Sequence, residues 1–521
     1  MSPRTTLRLG ATAIALAAAL SGATTASAHP DRAPVVATAG GLVRGVATGA
    51  NDHFLGIPYA APPVGALRWQ PPAPEARWSG IRDAGAFAPH CAQPGGPFGV
   101  ASTDEDCLYL NVFTPPGDAN RLHRHPVLLW IHGGALVAGA SDSYDPTDLV
   151  RNGVVVVTIN YRLGALGFLA HPALVDAAGG PSGNYGLMDQ QAALRWVARN
   201  IGRFGGNEHD VTIFGESAGG LSVLSQLVSP AARGLFDRAI VESGAYALTQ
   251  ASLDTAKTAG QAFATAAGCA GQSAVCLRAL PVQTILAREN TAGYQPNIDG
   301  RVLPGSIGPA LAAGQFARVP VINGSNHDEW RLFVARNEIR GLPVTAANYQ
   351  AMIASTLGVP GAAAAGIAAV YPVAAYPSPA LALGAVGTDA IFACPALTVN
   401  TSVSKFVPTF GYEFNDENAP QRLLPPVSFP YGAAHASEIQ YLFPTADSRL
   451  DTDQRRLGAT MRRYWTSFGL LGAPLAPGTP FWPRFDATHQ RLQSFVPPRP
   501  EVETDFAADH KCAFWSSQSG G

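Results

Sequence analysis

Apolar runs rich in β-branched residues punctuate the chain at Val127 to Ile131, Val154 to Asn160, Val211 to Phe214, Ala239 to Glu242 and Val319 to Asn323. Runs without a polar alternate suit strands covered on both faces, which is the environment of a parallel sheet between helix layers. Between them, Leu187 to Ile201 sets Leu187, Leu194, Trp196 and Val197 among polar residues at roughly helical spacing and stops before Gly202 and Gly205. That pattern predicts a crossover helix. Strands alternating with helices predict an α/β fold with a mostly parallel central sheet flanked by helices on both faces. Thr409 to Phe414 reads as a further strand. The Ala-rich, charge-poor stretch Gly361 to Ala385 reads as helices near the substrate entrance, and Pro58 to Pro74 and Pro420 to Gly432 read as loops over the sheet.

The N-terminal pattern is different. Arg4 and Arg8 precede an apolar run, Leu9 to Leu20, that ends at Ala26-Ser27-Ala28. This is the layout of a signal peptide over residues 1–28, and the run falls well short of the ~20 residues that span a bilayer. No later segment reads as a spanning helix, so the expectation is a secreted protein without stable membrane insertion. Residues 29–521 offer no linker to cut at and are read as one domain. With 521 residues, 47% of them hydrophobic, and a net charge of −2, the chain can bury a large core and has no electrostatic footprint for nucleic acid. The sequence is silent on oligomeric state.

Export fits the six cysteines, Cys91, Cys107, Cys269, Cys276, Cys394 and Cys512. Six cysteines allow 15 pairings. Sequence-local closure favours Cys91–Cys107 and Cys269–Cys276, which leaves Cys394–Cys512 as a long-range staple. None shows the spacing of a zinc site built on C-x-x-C and His.

Candidate chemistry begins at Gly215-Glu216-Ser217-Ala218-Gly219, a G-x-S-x-G that directly follows the Val211 to Phe214 run and precedes the helix-compatible Leu221 to Val228. The motif alone is weak, but strand, sharp turn and helix together form a nucleophile elbow, where small neighbours let a serine sit on a strained turn. A serine is nearly inert without a base and an oxyanion site. The run Val127 to Ile131 enters His132-Gly133-Gly134-Ala135, a turn of the HGGG type. Its backbone N–H groups, at Gly134 and Ala135, would form an oxyanion hole with the N–H of Ala218. In this arrangement acid and base follow the serine in that order. Of His327, His435, His489 and His510, only His435 lies in a small-residue loop (Gly432 to Ala436) after a strand, and it is the candidate base. Asp299, Asp328 and Glu329 are candidate acids, and the residues alone do not separate Asp328 from Glu329.

Several segments then resemble the type-B carboxylesterases, the family that includes the cholinesterases. They are Gly56 to Ala60 (GIPYA), Glu105 to Val112 (EDCLYLNV), Asn160-Tyr161-Arg162, Gly183 to Gln190 (GNYGLMDQ) and Phe204 to Asn207 (FGGN). The resemblance implies an α/β-hydrolase fold and carboxylic ester hydrolysis of small-molecule esters without cofactor or metal. Gly324 to Glu329 (GSNHDE) is similar to the family's G-x-N-x-D-E, whose last residue is the triad acid, so the resemblance selects Glu329. The Gly432 to His435 loop, followed by Glu438, supports His435. The three disulfides also match the family's positions. By the same resemblance Glu216 is buried near the active centre and Ser243 assists the histidine, with simple packing as the alternative for each. Departures from the family bear on the pocket. The Cys91–Cys107 loop is short and holds no Trp for a quaternary ammonium, Leu136 follows the HGGA turn where an aromatic is usual, and Trp330 follows Glu329 where a small residue is common. Choline esters are therefore not expected as substrates. The rivals are a lipase, which needs a mobile apolar lid, and a non-catalytic binding protein of the same fold, which would lack triad members.

Overall fold

A computed structural model describes residues 33–120, 124–175, 180, 182–289 and 294–518. The expected signal peptide, residues 1–28, lies outside them. Eleven strands form the main sheet: β1 (Val46–Ala47), β2 (Asp52–Pro58), β3 (Tyr109–Thr114), β4 (His125–Ile131), β5 (Val155–Ile159), β6 (Gly206–Glu216), β7 (Arg238–Glu242), β8 (Val321–Asn326), β9 (Thr409–Phe414), β10 (Leu492–Phe495) and β11 (Glu501–Glu503). Their spatial order is β11-β10-β9-β8-β7-β6-β4-β5-β3-β2-β1. The run from β10 through β5 is parallel. Antiparallel strands flank it on both sides.

The β-branched runs form strands because both faces are covered. Along β4, Leu129 and Ile131 enter one core with Val157, Ile213, Val241 and Leu221. The alternate residues Leu128 and Trp130 enter a second core with Phe214, Ile240, Tyr412 and Trp465. Each such side chain is fully shielded from water, and burial of that kind contributes roughly 2 kcal/mol per large residue. Helices α1 (Tyr185–Asn200), α2 (Ala218–Val228), α3 (Arg331–Ile339), α4 (Cys394–Val403) and α5 (Thr452–Leu471) supply much of the cover. The predicted crossover helix is α1.

The stretch 361–385 is helical as expected, over Gly361–Val370 and within Pro379–Gly387, and packs with α3 in a satellite core around Leu332, Val334 and Ile353. These helical residues do not line the cavity at the serine elbow, but Phe98 and Leu423 of the same core do. One expectation changes. The chain does contain a continuous helical stretch long and apolar enough to cross a bilayer, Pro379–Val403, an 18-residue window of which has a mean hydropathy of 1.6. Asp389 and several small residues interrupt its apolar pattern in the sequence. Of that window 78% is buried inside the protein, which accounts for its composition. The disulfides Cys91–Cys107, Cys269–Cys276 and Cys394–Cys512 all form as expected.

Candidate active site

Four parallel strands, β6, β7, β8 and β9, end side by side and deliver the site. Register pairs Glu216 with Glu242 and Glu242 with Gly324, so β6 and β7 end level and hand over to Ser217 and Ser243, while β8 runs on to Asn326. Ser217 stands between β6 and α2 with φ 55° and ψ −118°. Holding a non-glycine residue there costs on the order of 1–3 kcal/mol, and the surroundings enforce it. The Ser217 N–H donates to the Glu242 carbonyl at 2.8 Å. A Cβ on Gly219 would lie 1.9 Å from the Ile131 carbonyl oxygen, and one on Gly220 2.7 Å from that of Glu242. The small residues of the motif are therefore demanded by neighbouring backbone.

His435 lies in the small-residue loop after β9, 5% exposed. Its Nε2 is 2.8 Å from Ser217 Oγ and its Nδ1 is 2.5 Å from Glu329 Oε2. A carboxylate accepts, so Nδ1 carries a proton, and in the neutral imidazole Nε2 accepts from the serine hydroxyl. Glu329, fully buried, accepts a second bond at Oε1 from the Asn326 N–H at 2.8 Å. The other acid candidates are elsewhere. Asp328 pairs with Arg331 at 2.7 Å, and Asp299 accepts from the N–H groups of its own turn.

After β4 the chain turns through Gly134, Ala135 and Leu136 with φ of 101°, 57° and 61°. Val137 and Ala138 N–H groups close the turn on the Gly134 carbonyl at 3.0 Å. Among the described residues no acceptor takes the N–H of Gly134 or Ala135. The Ala218 N–H, in the first turn of α2, likewise has no intrahelical acceptor. The Cys91–Cys107 loop braces this turn through Gln93, whose amide exchanges two hydrogen bonds with Gly139, at 2.7 and 3.0 Å. His132 supports it from below, stacked on Tyr161. Burial pushes its imidazole down to about 4, so it stays neutral.

The charge balance around His435 is unusual. Glu216 Oε1 lies 3.2 Å from Nε2. Burial drives the Glu216 carboxyl upward, and burial does the same to Glu242 and Glu438. Burial also opposes a charged imidazole, yet the adjacent Glu216 and Glu329 outweigh it and raise His435. Sequence reasoning missed Glu242, which accepts from the Trp465 indole at 2.8 Å, and Asn326, whose amide donates to Glu438. The signal for Glu242 was an acid closing an otherwise apolar strand. Ser243, at φ 49°, keeps a buried hydroxyl with no hydrogen-bond partner among the described residues.

A cavity of 410 Å³ opens on this cluster, lined by Gly133, Gly134, Glu216 and His435, and by Phe98 from the disulfide loop and Leu423. That volume suits a small organic molecule. Trp330, Phe333 and Phe392 form an aromatic stack whose last two rings lie 5.3 and 5.0 Å from the His435 ring. None of the three lines the cavity.

A parallel-cored sheet with a serine elbow at the end of one strand is the α/β-hydrolase arrangement. A profile of the carboxylesterase family matches residues 32–515, and the chain belongs to that family. It is 36% identical to an acylcarnitine hydrolase of Mus musculus over 491 residues, covering 88% of this chain and 86% of the relative. It is also 36% identical to a fumonisin B1 esterase of Sphingopyxis macrogoltabida over 510 residues, 92% and 88% of the two chains. A para-nitrobenzyl esterase of Bacillus subtilis (strain 168) shares 34% over 478 residues, 87% and 92%. Among solved structures, a PNB esterase superposes with a TM-score of 0.78 at 32% identity, covering 92% of this chain and 99% of the other. The protein is a carboxylic ester hydrolase, and the reading as a non-catalytic binding protein falls away.

Proposed function

We propose that the protein is an exported esterase that works through an acyl-enzyme on Ser217, with His435 as base and Glu329 orienting the imidazole. The observation that carries this reading is the pair of hydrogen bonds at His435, 2.8 Å to Ser217 and 2.5 Å to Glu329, beside an open cavity. His435 takes the serine proton as Oγ attacks the ester carbonyl. The N–H groups of Gly134, Ala135 and Ala218 receive the oxyanion, and each such donor is worth about 10²–10³ in rate. His435 then protonates the departing alcohol, and a water deprotonated by the same imidazole releases the acid.

The leaving alcohol must stand near Nε2, and His435 and Glu216, whose Oε1 is 3.2 Å from that nitrogen, both line the cavity. The aromatic stack fills space on the other flank of His435. This favours esters with a bulky or aryl alcohol and a short to medium acyl group over long-chain lipid esters. Ser217→Ala is expected to fold normally, lose nearly all p-nitrophenyl acetate hydrolysis and resist labelling by a fluorophosphonate. Retained turnover would overturn the assignment. Rates across p-nitrophenyl esters of increasing acyl length should fall beyond medium chains, and a rise with length would favour the lipase reading. Export predicts that protein recovered from the medium starts at His29.

A further inference from the structure

A second cluster of histidines and carboxylates is built on β9, the residue after β8 and the C-terminal segment, its His327 two positions from Glu329. Glu413 is the fifth residue of β9 and shares a register position with Ser325. His327 follows β8 directly, its N–H donating to the Phe414 carbonyl at 3.0 Å. His510 arrives from the C-terminal segment, two residues before Cys512 of the long-range disulfide. One ligand atom from each of the three lies within 4.8 Å of the other two. The His327 and His510 rings are 5.5 Å apart.

What distinguishes this group from an ordinary ion pair is the use of the other imidazole nitrogens. His510 Nδ1 is 2.6 Å from Asp389 Oδ1, and His327 Nδ1 is 3.2 Å from Asp328 Oδ1. Metal-bound histidines almost always donate their second N–H to a carboxylate or carbonyl, which fixes the tautomer and turns the remaining nitrogen to the ion. Here both histidines do so. The orienting acids are fixed in turn, Asp389 by the Tyr371 hydroxyl at 2.7 Å and Asp328 by Arg331 and the Ala433 N–H. Acidic side chains gather here. Asp328, Asp389 and Glu413 lie beside Arg331, Lys511 and the two imidazoles, and burial pushes the neighbouring Glu503 carboxyl up to about 9. Glu503 Oε1 is buried without a hydrogen-bond partner among the described residues.

We propose that His327, Glu413 and His510 form a zinc site that ties the loop carrying Glu329 to the C-terminal disulfide segment. Two imidazoles and a carboxylate suit a borderline divalent ion, with water as a fourth ligand. His327 is 31% exposed at its side chain and gives the ion an entry. His510 Nε2 and Glu413 Oε1 are 2.6 Å apart with a proton between them. The ion displaces that proton, and bonds of about 2.1 Å set tetrahedral ligand atoms about 3.4 Å apart. This pair therefore opens while the wider gaps close. The site touches no reacting atom, and its role is to hold position.

The test is calorimetric titration of ZnCl₂ into tag-free enzyme dialysed against EDTA, with thermal unfolding measured alongside. The wild type should bind one zinc per chain and unfold at higher temperature in its presence. His327→Gln, at the exposed member, should fold, bind zinc at least about tenfold more weakly and lose the zinc-dependent rise. Glu413→Gln, which keeps volume and hydrogen bonding, should do the same. His489→Gln, at an exposed histidine paired with Asp486, should bind as the wild type does. Failure of the wild type to bind zinc at micromolar concentration overturns the proposal and leaves His510 as an imidazolium clamped by two carboxylates. Unchanged affinity in His327→Gln overturns it equally.

Discussion

A carboxyl 3.2 Å from the nitrogen that must accept the serine proton sets the conditions under which His435 can work. An ionised Glu216 holds the proton on the imidazole, and removing that charge lets it go at lower pH. The acid limb of kcat/KM in the wild type should therefore lie above the ordinary imidazole range. In Glu216→Gln it should move down by about one unit, measured with p-nitrophenyl acetate. An unmoved limb would mean that Glu216 carries no charge beside His435. Ser217 was legible from its motif and neighbouring strand, and His435 by elimination among four histidines. Glu329 was legible only through the resemblance of Gly324 to Glu329 to the family's motif, because Asp328 is adjacent and equally acidic. What separates them physically is orientation, since Asp328 turns to Arg331 while Glu329 reaches the imidazole, and residue type alone does not encode that. The partners of His510 were still less visible, lying 97 and 121 positions away.

The elements were legible where burial alone specified them. Thr409–Phe414 and Arg238–Glu242 fall where apolar runs put them. The strand expected at Val319 begins instead at Val321, because Pro320 has no N–H for the ladder. It then continues through Gly324, Ser325 and Asn326, polar or small residues that neighbouring strands make extended. Likewise β6 starts at Gly206, five residues early, where polar Asn207 to Asp210 pass beside the edge of β4. The turn after β4 works as one unit. A Cβ on Gly134 would sit 2.0 Å from the Ala138 carbonyl oxygen at a φ of 101°, so Gly134→Ala cannot keep the turn. Its kcat should fall at least about a hundredfold with far-ultraviolet circular dichroism unchanged. A near-normal kcat would show that the turn does not hold the oxyanion.

Across the whole molecule, Cys394–Cys512 spans 118 residues and joins the start of α4 to the C-terminal helix. In the chain-entropy account, closing a loop of this size is worth about 4–5 kcal/mol. Replacing both cysteines by serine should lower the denaturation midpoint markedly while leaving initial rates near normal, since neither residue approaches the cavity. The same double variant should leave the other two bridges intact, with no titratable thiol in denaturant. An unchanged midpoint would mean that the packing around Phe485 and Phe506 already fixes the segment.

The backbone at position 217 also restricts what the scaffold can become. A residue held at φ 55° tolerates an unbranched side chain far better than one forked at Cβ. A threonine nucleophile would press its extra methyl against its own main chain at the one place where the turn cannot relax. A thiol is unbranched like the hydroxyl it replaces and fits the same geometry. Laboratory evolution of new acyl-transfer chemistry on this framework thus has cysteine, and not threonine, as its accessible neighbour.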